Sequence, residues 1–193
     1  FEQNTWHGLG MRGNVSCQMH LNKAEVSVSN RIGEEGAGQE HVFSVVAPYF
    51  IAGLAGVYSG LGEHMLEESI AHAKERKYTS GTSLAEIETV QIHLAKMYNL
   101  VNSSVCTAKE ATRSAAAGEE DALAKILSAR IIACEMVIEA GRLGMRVGGG
   151  KAYNKAGCME RLLRDAYAGQ IMAPSADVLT VWLGKAITGL PLV

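Results

Sequence analysis

Cysteine is scarce in this chain and neither sign of charge is in excess, and each shortage removes a class of protein. Cys17, Cys106, Cys134 and Cys158 are the four cysteines. They lie far apart and follow no metal-binding or redox spacing. Two fall on expected helices, so all four are read as reduced and structural, as in a cytoplasmic protein. Eighteen Lys and Arg against 20 Asp and Glu leave a formal net charge of -2, which gives no reason to expect a nucleic-acid partner. No leader pattern is read at the start of the chain. The apolar run at residues 42–61 is interrupted by Pro48, by glycines and by tyrosines, so it reads as a buried helix and not a membrane span. The sequence has no internal repeat and no low-complexity segment. It also opens on Phe1-Glu2-Gln3 without a Met, in what reads as the middle of a sheet, and a truncated or cleaved product is expected.

What is present is enough chain for a sizeable core. Val15, Cys17, Met19 and Leu21 alternate with Ser16, Gln18, His20 and Asn22, the period of a half-buried strand, with a shorter strand expected at residues 26–28. Two strands do not make a stable sheet, so partners from elsewhere are required. A glycine-rich connection, from Asn30 to Gly38, leads out of this piece.

From His41 the pattern is helical. The first helix is expected over residues 41–77, with Phe43, Val46, Phe50, Leu54, Val57, Leu61, Met65 and Ile70 at three-to-four spacing. Ser83 with Glu86 three residues later forms a capping box for a second helix, which runs to about Ala117. Gly118 stops it. Glu119, Glu120 and Asp121 place negative charge at the start of a third helix, which reaches about Val147. Two shorter helices close the chain. The first passes through Arg164 and Asp165, and the second starts at Ser175 as N-cap with Asp177 in its first turn. The expected fold is mainly α: an up-and-down four-helix bundle preceded by a short β-segment. Residues 1–38 and 39–193 are the two expected divisions.

Each chemical motif competes with a structural reading. Gly8-Leu9-Gly10-Met11-Arg12-Gly13 matches G-x-G-x-x-G, but a strand follows it instead of a helix, so a tight turn is the better reading. A di-iron site in a helical bundle needs Glu-x-x-His twice, and this sequence contains none. His64 with Glu68, or Glu68 with His72, pairs at i, i+4 as on any solvated helix face. His93 is expected to be a satisfied, partly buried histidine, and the methionines are expected to be packing. The glycine run Gly148-Gly149-Gly150, brought together with the helix start at Ser175, makes an expected anion site, because free N–H groups and the helix dipole favour phosphate.

The order of the parts resembles a known family. Trp6-His7-Gly8-Leu9-Gly10-Met11-Arg12-Gly13, the alternating segment, and Asn30-Arg31-Ile32-Gly33-Glu34-Glu35-Gly36-Ala37-Gly38 resemble the exit from the middle β-domain of acyl-CoA dehydrogenases. The helix ending Ala73-Lys74-Glu75-Arg76-Lys77, the run from Val90 to Met97, and Glu160-Arg161-Leu162-Leu163-Arg164-Asp165 resemble that family's C-terminal helical domain. The resemblance implies FAD bound between subunits of a homo-oligomer, a dimer or tetramer. It also implies an acyl-CoA or other small-molecule substrate, and a missing N-terminal part of the chain. By position, Gly149 and Gly150 resemble the residues that approach the pyrophosphate, Gln91 the glutamine of the second helix, Ser175 and Asp177 the segment after the catalytic glutamate, and Arg76 the flavin-site arginine. Ala173 stands where many members carry that glutamate, and residues 44–48, the other place some members use, hold no carboxylate. The implied activity is FAD-dependent oxidation of an acyl-CoA CH–CH bond, with the base away from its usual position. A flavin monooxygenase on the same fold and a non-catalytic structural subunit remain open, and the chain alone is not expected to be competent.

Overall fold

Helix boundaries in the computed structural model, which describes residues 6–14 and 16–192, follow the local stop and start chemistry of the sequence. After a one-turn α1 (Gly38–His41) and a wide π-helical turn (Val42–Val46), α2 runs over Ala47–Glu75. Pro48 sits in the first turn of α2. There its missing N–H costs little, and the wide turn before it accommodates the ring. α3 spans Glu88–Ala117, α4 Ala122–Tyr153, α5 Met159–Ile171 and α6 Ala176–Ile187. Gly118 ends α3 at φ 65, with its N–H returned to the carbonyls of Ala115 and Ser114. Across that turn Glu119 takes Arg113 at 2.7 Å and Lys125 at 2.8 Å. Hydrogen bonds from Arg113, then Lys125 and Ser114, pull its carboxyl down to about 2.

Two helix boundaries differ from expectation. The Ser83–Glu86 capping box forms, with Glu86 accepting from Ser83 N at 2.7 Å, but it caps a single 3-10 turn at Leu84–Glu86. Ile87 then adopts extended backbone (φ -82, ψ 121), so α3 starts only at Glu88. α4 continues past Val147 to Tyr153, interrupted at Gly149 (φ 53, ψ -133). That conformation is open to glycine and costly to other residues.

α4 is the hub, packing against α2, α3, α5 and α6, so α5 and α6 together take the fourth place of an up-and-down bundle. Its buried face runs from Ile126 to Val147. Methionines fit into glycine notches along this core. A Cβ on Gly62 would meet Met136 Cε at 2.8 Å, and one on Gly144 would meet Met159 Cε at 2.8 Å. Their packing role therefore rests on facing positions with no side chain. Burying residues such as Leu127 and Met65, both fully enclosed, contributes about 1.5–3 kcal/mol each.

The β-segment does not form regular strands. Val15 lies outside the described residues, residues 16–21 carry no strand, and Val28–Asn30 is a 3-10 turn. Met19, Leu21, Val26 and Val28 are exposed. A strand's backbone groups need a neighbouring strand, and the described residues offer none beyond an isolated bridge between Lys77 and Ser83. The expectation of a buried first helix holds for one face only. Gly38–Glu75 is long and apolar enough to cross a membrane by length and composition, and 28% of its most apolar window is buried. Ile51, Leu54, Tyr58, Met65 and Ala73 face the core, whereas Val45, Val46, Tyr49 and Val57 are exposed, with no covering element among the described residues.

His93 is buried, but its Nδ1 has no hydrogen-bond partner among the described residues, so the expected satisfied histidine is not observed. Burial, helped by Arg146, Lys96 and Arg142, holds its pKa below the ordinary value, and burial does the same for His72. Below about 6.5 the unfolded chain therefore binds more protons than the folded one, and stability falls with pH. The melting temperature is expected to drop between about pH 7.5 and 5.5, and His93→Leu to flatten that slope. An unchanged slope in the variant refutes this assignment.

Candidate functional site

The expected site residues fall into two groups. At one end of the bundle Ala73, Leu84, Val90 and Val147 pack into a small buried cluster, which sets Arg76, Gln91 and Gly149 around the same end. The Arg76 guanidinium lies 5.8 Å over the Tyr78 ring. Gln91 Nε2 donates to the Ala85 carbonyl at 3.2 Å. Gly148 has no room for a side chain, because a Cβ would strike Ala152, but Cβ atoms built on Gly149 and Gly150 would meet nothing within 4 Å. The backbone there is open to an incoming group. Lys151 Nζ stands 3.7 Å from Glu75.

The second group surrounds the break between α5 and α6. Ser175 caps α6, its Oγ accepting from Val178 N at 3.4 Å, with Asp177 in the first turn. Ala173 is exposed. Just before it, Met172 Sδ accepts from the Tyr58 hydroxyl at 3.2 Å. Tyr58 and Glu75 are 17 residues apart on α2, which is roughly 25 Å of helix. The glycine run and the Ser175 helix start are thus not brought together within one chain. The single cradle expected from them is corrected to two separate surfaces, because α5 begins beside Gly144 and ends beside Tyr58, so its 13 residues carry the chain away from the glycine end before α6 starts.

Periodicity alone did not reveal the buried group beside the end of α5. Arg130 is fully buried, its Nη2 donating to the Gly169 carbonyl at 2.7 Å and its guanidinium 4.7 Å over the Tyr58 ring. Its Nε and Nη1 have no hydrogen-bond partner among the described residues. Burial pushes the Tyr58 hydroxyl up, against the opposing pull of Arg130, and burial also raises the Cys134 thiol. The available signal was a charged residue at a core position, between Leu127 and Cys134.

The N-terminal strap supplies a third surface. Arg164, aimed by Glu160 at 2.8 Å, donates to the Leu9 carbonyl at 2.7 Å, and Asp165 accepts from Met11 N at 2.6 Å. Met11 also opens the expected tight turn, its carbonyl taking Asn14 N at 2.9 Å. The strap roofs a cavity of about 230 Å³ lined by Trp6, Leu9, Tyr167 and Met172. A Cβ on Gly10 would overlap the Arg164 and Asp165 backbone, which cannot move aside. Gly10→Ala is expected to release the strap, making proteolysis within residues 8–14 at least about tenfold faster while the global melting temperature barely changes. Equal cleavage rates contradict this.

The geometry defines a helical-bundle domain with an open, glycine-bearing end. The sequence profile described as acyl-CoA dehydrogenase, C-terminal domain, matches residues 52–188. The chain belongs to the acyl-CoA dehydrogenase family. It is 25% identical over 181 residues to cyclohex-1-ene-1-carbonyl-CoA dehydrogenase of Geobacter metallireducens, covering 93% of this chain and 47% of that protein. It is 26% identical to an acyl-CoA dehydrogenase of Bacillus subtilis, covering 94% and 47%. Among solved structures, the butyryl-CoA dehydrogenase of Megasphaera elsdenii superposes with a TM-score of 0.78 at 21% identity, over 84% of this chain and 42% of that one. The prolyl acyl carrier protein oxidase AnaB superposes at 0.82 and 23% identity, over 95% and 47%. These superpositions show the shared fold. The chain spans about half the length of the curated relatives it matches.

Proposed function

We propose that this chain forms the C-terminal part of an FAD-dependent oxidoreductase that oxidises an acyl-CoA-type CH–CH bond. The observation that carries the reading is the open backbone at Gly149 and Gly150. Among the described residues nothing comes within 4 Å of a Cβ built there, so a pyrophosphate would have room to approach the backbone at the non-helical Gly149. Gln91 and Arg76 flank the same end. Ser175 and Asp177, roughly 25 Å away along the bundle, would serve a flavin held by a second copy, in a homo-oligomer whose sites lie between subunits. Bound FAD would supply hydride acceptance. The chain's own residues would bind and orient it, and an acyl thioester would sit near the α5–α6 break.

The departure is at the base. A base must be a titratable group within hydrogen-bond reach of the proton it takes. Ala173 is not one, and the next carboxylate along the chain, Asp177, begins α6. That observation favours, as second reading, a flavin monooxygenase on the same fold, which needs no α-proton base. The four free thiols accord with the proposed cytoplasmic location. The test is made on the intact polypeptide that contains this chain. Bound yellow flavin, bleached anaerobically by an acyl-CoA, is the expected result. NADH-driven oxygen uptake without bleaching favours the monooxygenase, and a colourless protein overturns both in favour of a structural subunit. The 193-residue chain alone is expected to bind FAD weakly or not at all.

A further inference from the structure

We propose that His64, Glu68 and Cys158 form a zinc site between α2 and the start of α5. The sequence alone shows only His64 and Glu68, one turn apart on a helix. The fold adds Cys158, the N-cap residue of α5. One ligand atom from each of the three, an imidazole nitrogen, a carboxylate oxygen and the thiol sulfur, lies within 4.8 Å of the other two. Zn²⁺ takes this mixed N, O, S set, with bonds of about 2.0–2.3 Å and a water in the fourth tetrahedral position. Such bonds place ligand atoms roughly 3.5 Å apart, so the three side chains need to draw in by about 1 Å. Glu68 is exposed and the His64 side chain is 46% exposed, which leaves their rotamers free to do so. The charges balance: a thiolate and a carboxylate neutralise the dication, and the thiol proton passes to solvent.

A second feature of the same place points to a polar ligand. Glu68 and Cys158 also line a cavity of about 250 Å³ between α2, α4 and α5. His72, one turn beyond Glu68, lines that cavity too, with both ring nitrogens buried and without a hydrogen-bond partner among the described residues. Buried polar atoms are normally paired, so this pocket holds unused coordinating capacity beside the three ligands. Gly148 and Lys151, beside the proposed flavin end, line the same cavity, but none of the three ligands is among the residues proposed to hold flavin.

The test uses Co²⁺ as the spectroscopic stand-in for Zn²⁺, added to the intact polypeptide that contains this chain and read as a difference spectrum. One equivalent is expected to give a thiolate-to-cobalt charge-transfer band in the near ultraviolet, which Zn²⁺ abolishes by displacement. Cys158→Ser is expected to remove the band, whereas Cys106→Ser, at an exposed thiol on α3, leaves it intact. His64→Ala, on the exposed side of α2, is expected to weaken Co²⁺ binding at least about tenfold without changing helicity. No band, a band that survives Cys158→Ser, or an unchanged affinity in His64→Ala overturns the proposal.

Discussion

Arg130→Met is expected to leave the melting temperature unchanged or raise it, whereas Arg130→Ala lowers it by roughly 6–12 °C. The two substitutions separate charge from volume. The buried guanidinium gains a cation–π contact of about 2 kcal/mol and a charge-assisted hydrogen bond to Gly169 of about 1.5–3 kcal/mol. Against these stand a desolvation cost of several kcal/mol for an ion and the two unpartnered nitrogens, at about 1–3 kcal/mol each. No carboxylate forms a salt bridge with it among the described residues. The balance is at best even, so an apolar side chain of similar length loses nothing. Alanine removes the volume as well and leaves a cavity against Tyr58, worth about 3 kcal/mol. In a domain of this size each kcal/mol moves the midpoint by about 2–4 °C. Thermal unfolding followed by circular dichroism decides the question. If Met costs as much as Ala, the cation itself holds the core together.

Ala173→Glu is expected to speed anaerobic flavin bleaching by an acyl-CoA about 10²–10⁴-fold in the intact flavoprotein, the usual worth of a positioned general base. Ala173 is exposed, so the longer side chain enters without displacing the core. Asp177→Asn is the companion. As an N-terminal helix charge that also faces the second copy's flavin in the proposed arrangement, Asp177 should alter stability and flavin retention slightly and leave bleaching per bound flavin unchanged. Bleaching abolished by Asp177→Asn identifies the displaced base. No gain from Ala173→Glu, with oxygen uptake intact, assigns the protein to base-free monooxygenation.

Both predictions depend on residues whose importance differs in how far it shows in the sequence. Ala173 is visible by position, because the resemblance around Glu160 to Asp165 marks where a glutamate belongs. Arg130 is visible only as an anomaly, a charge at core spacing. Its contacts to Tyr58 and Gly169 lie 72 and 39 residues away along the chain, and no local pattern links them.

The sequence by itself determined the features governed by interactions within about one helical turn. These were the Ser83–Glu86 box, the left-handed Gly118, the Ser175 cap and the three-to-four spacing that packs α2, α3 and α4. Such features depend on neighbours four residues away or fewer, so they are already present in the string. The tertiary structure decided everything that depends on helix length and on which faces meet. It separated the glycine run from Ser175, joined Cys158 to His64 and Glu68, and set methionines into glycine notches. It also showed that an alternating segment without a partner does not become a strand: a helix satisfies its own backbone hydrogen bonds, and a strand relies on a second segment to do so.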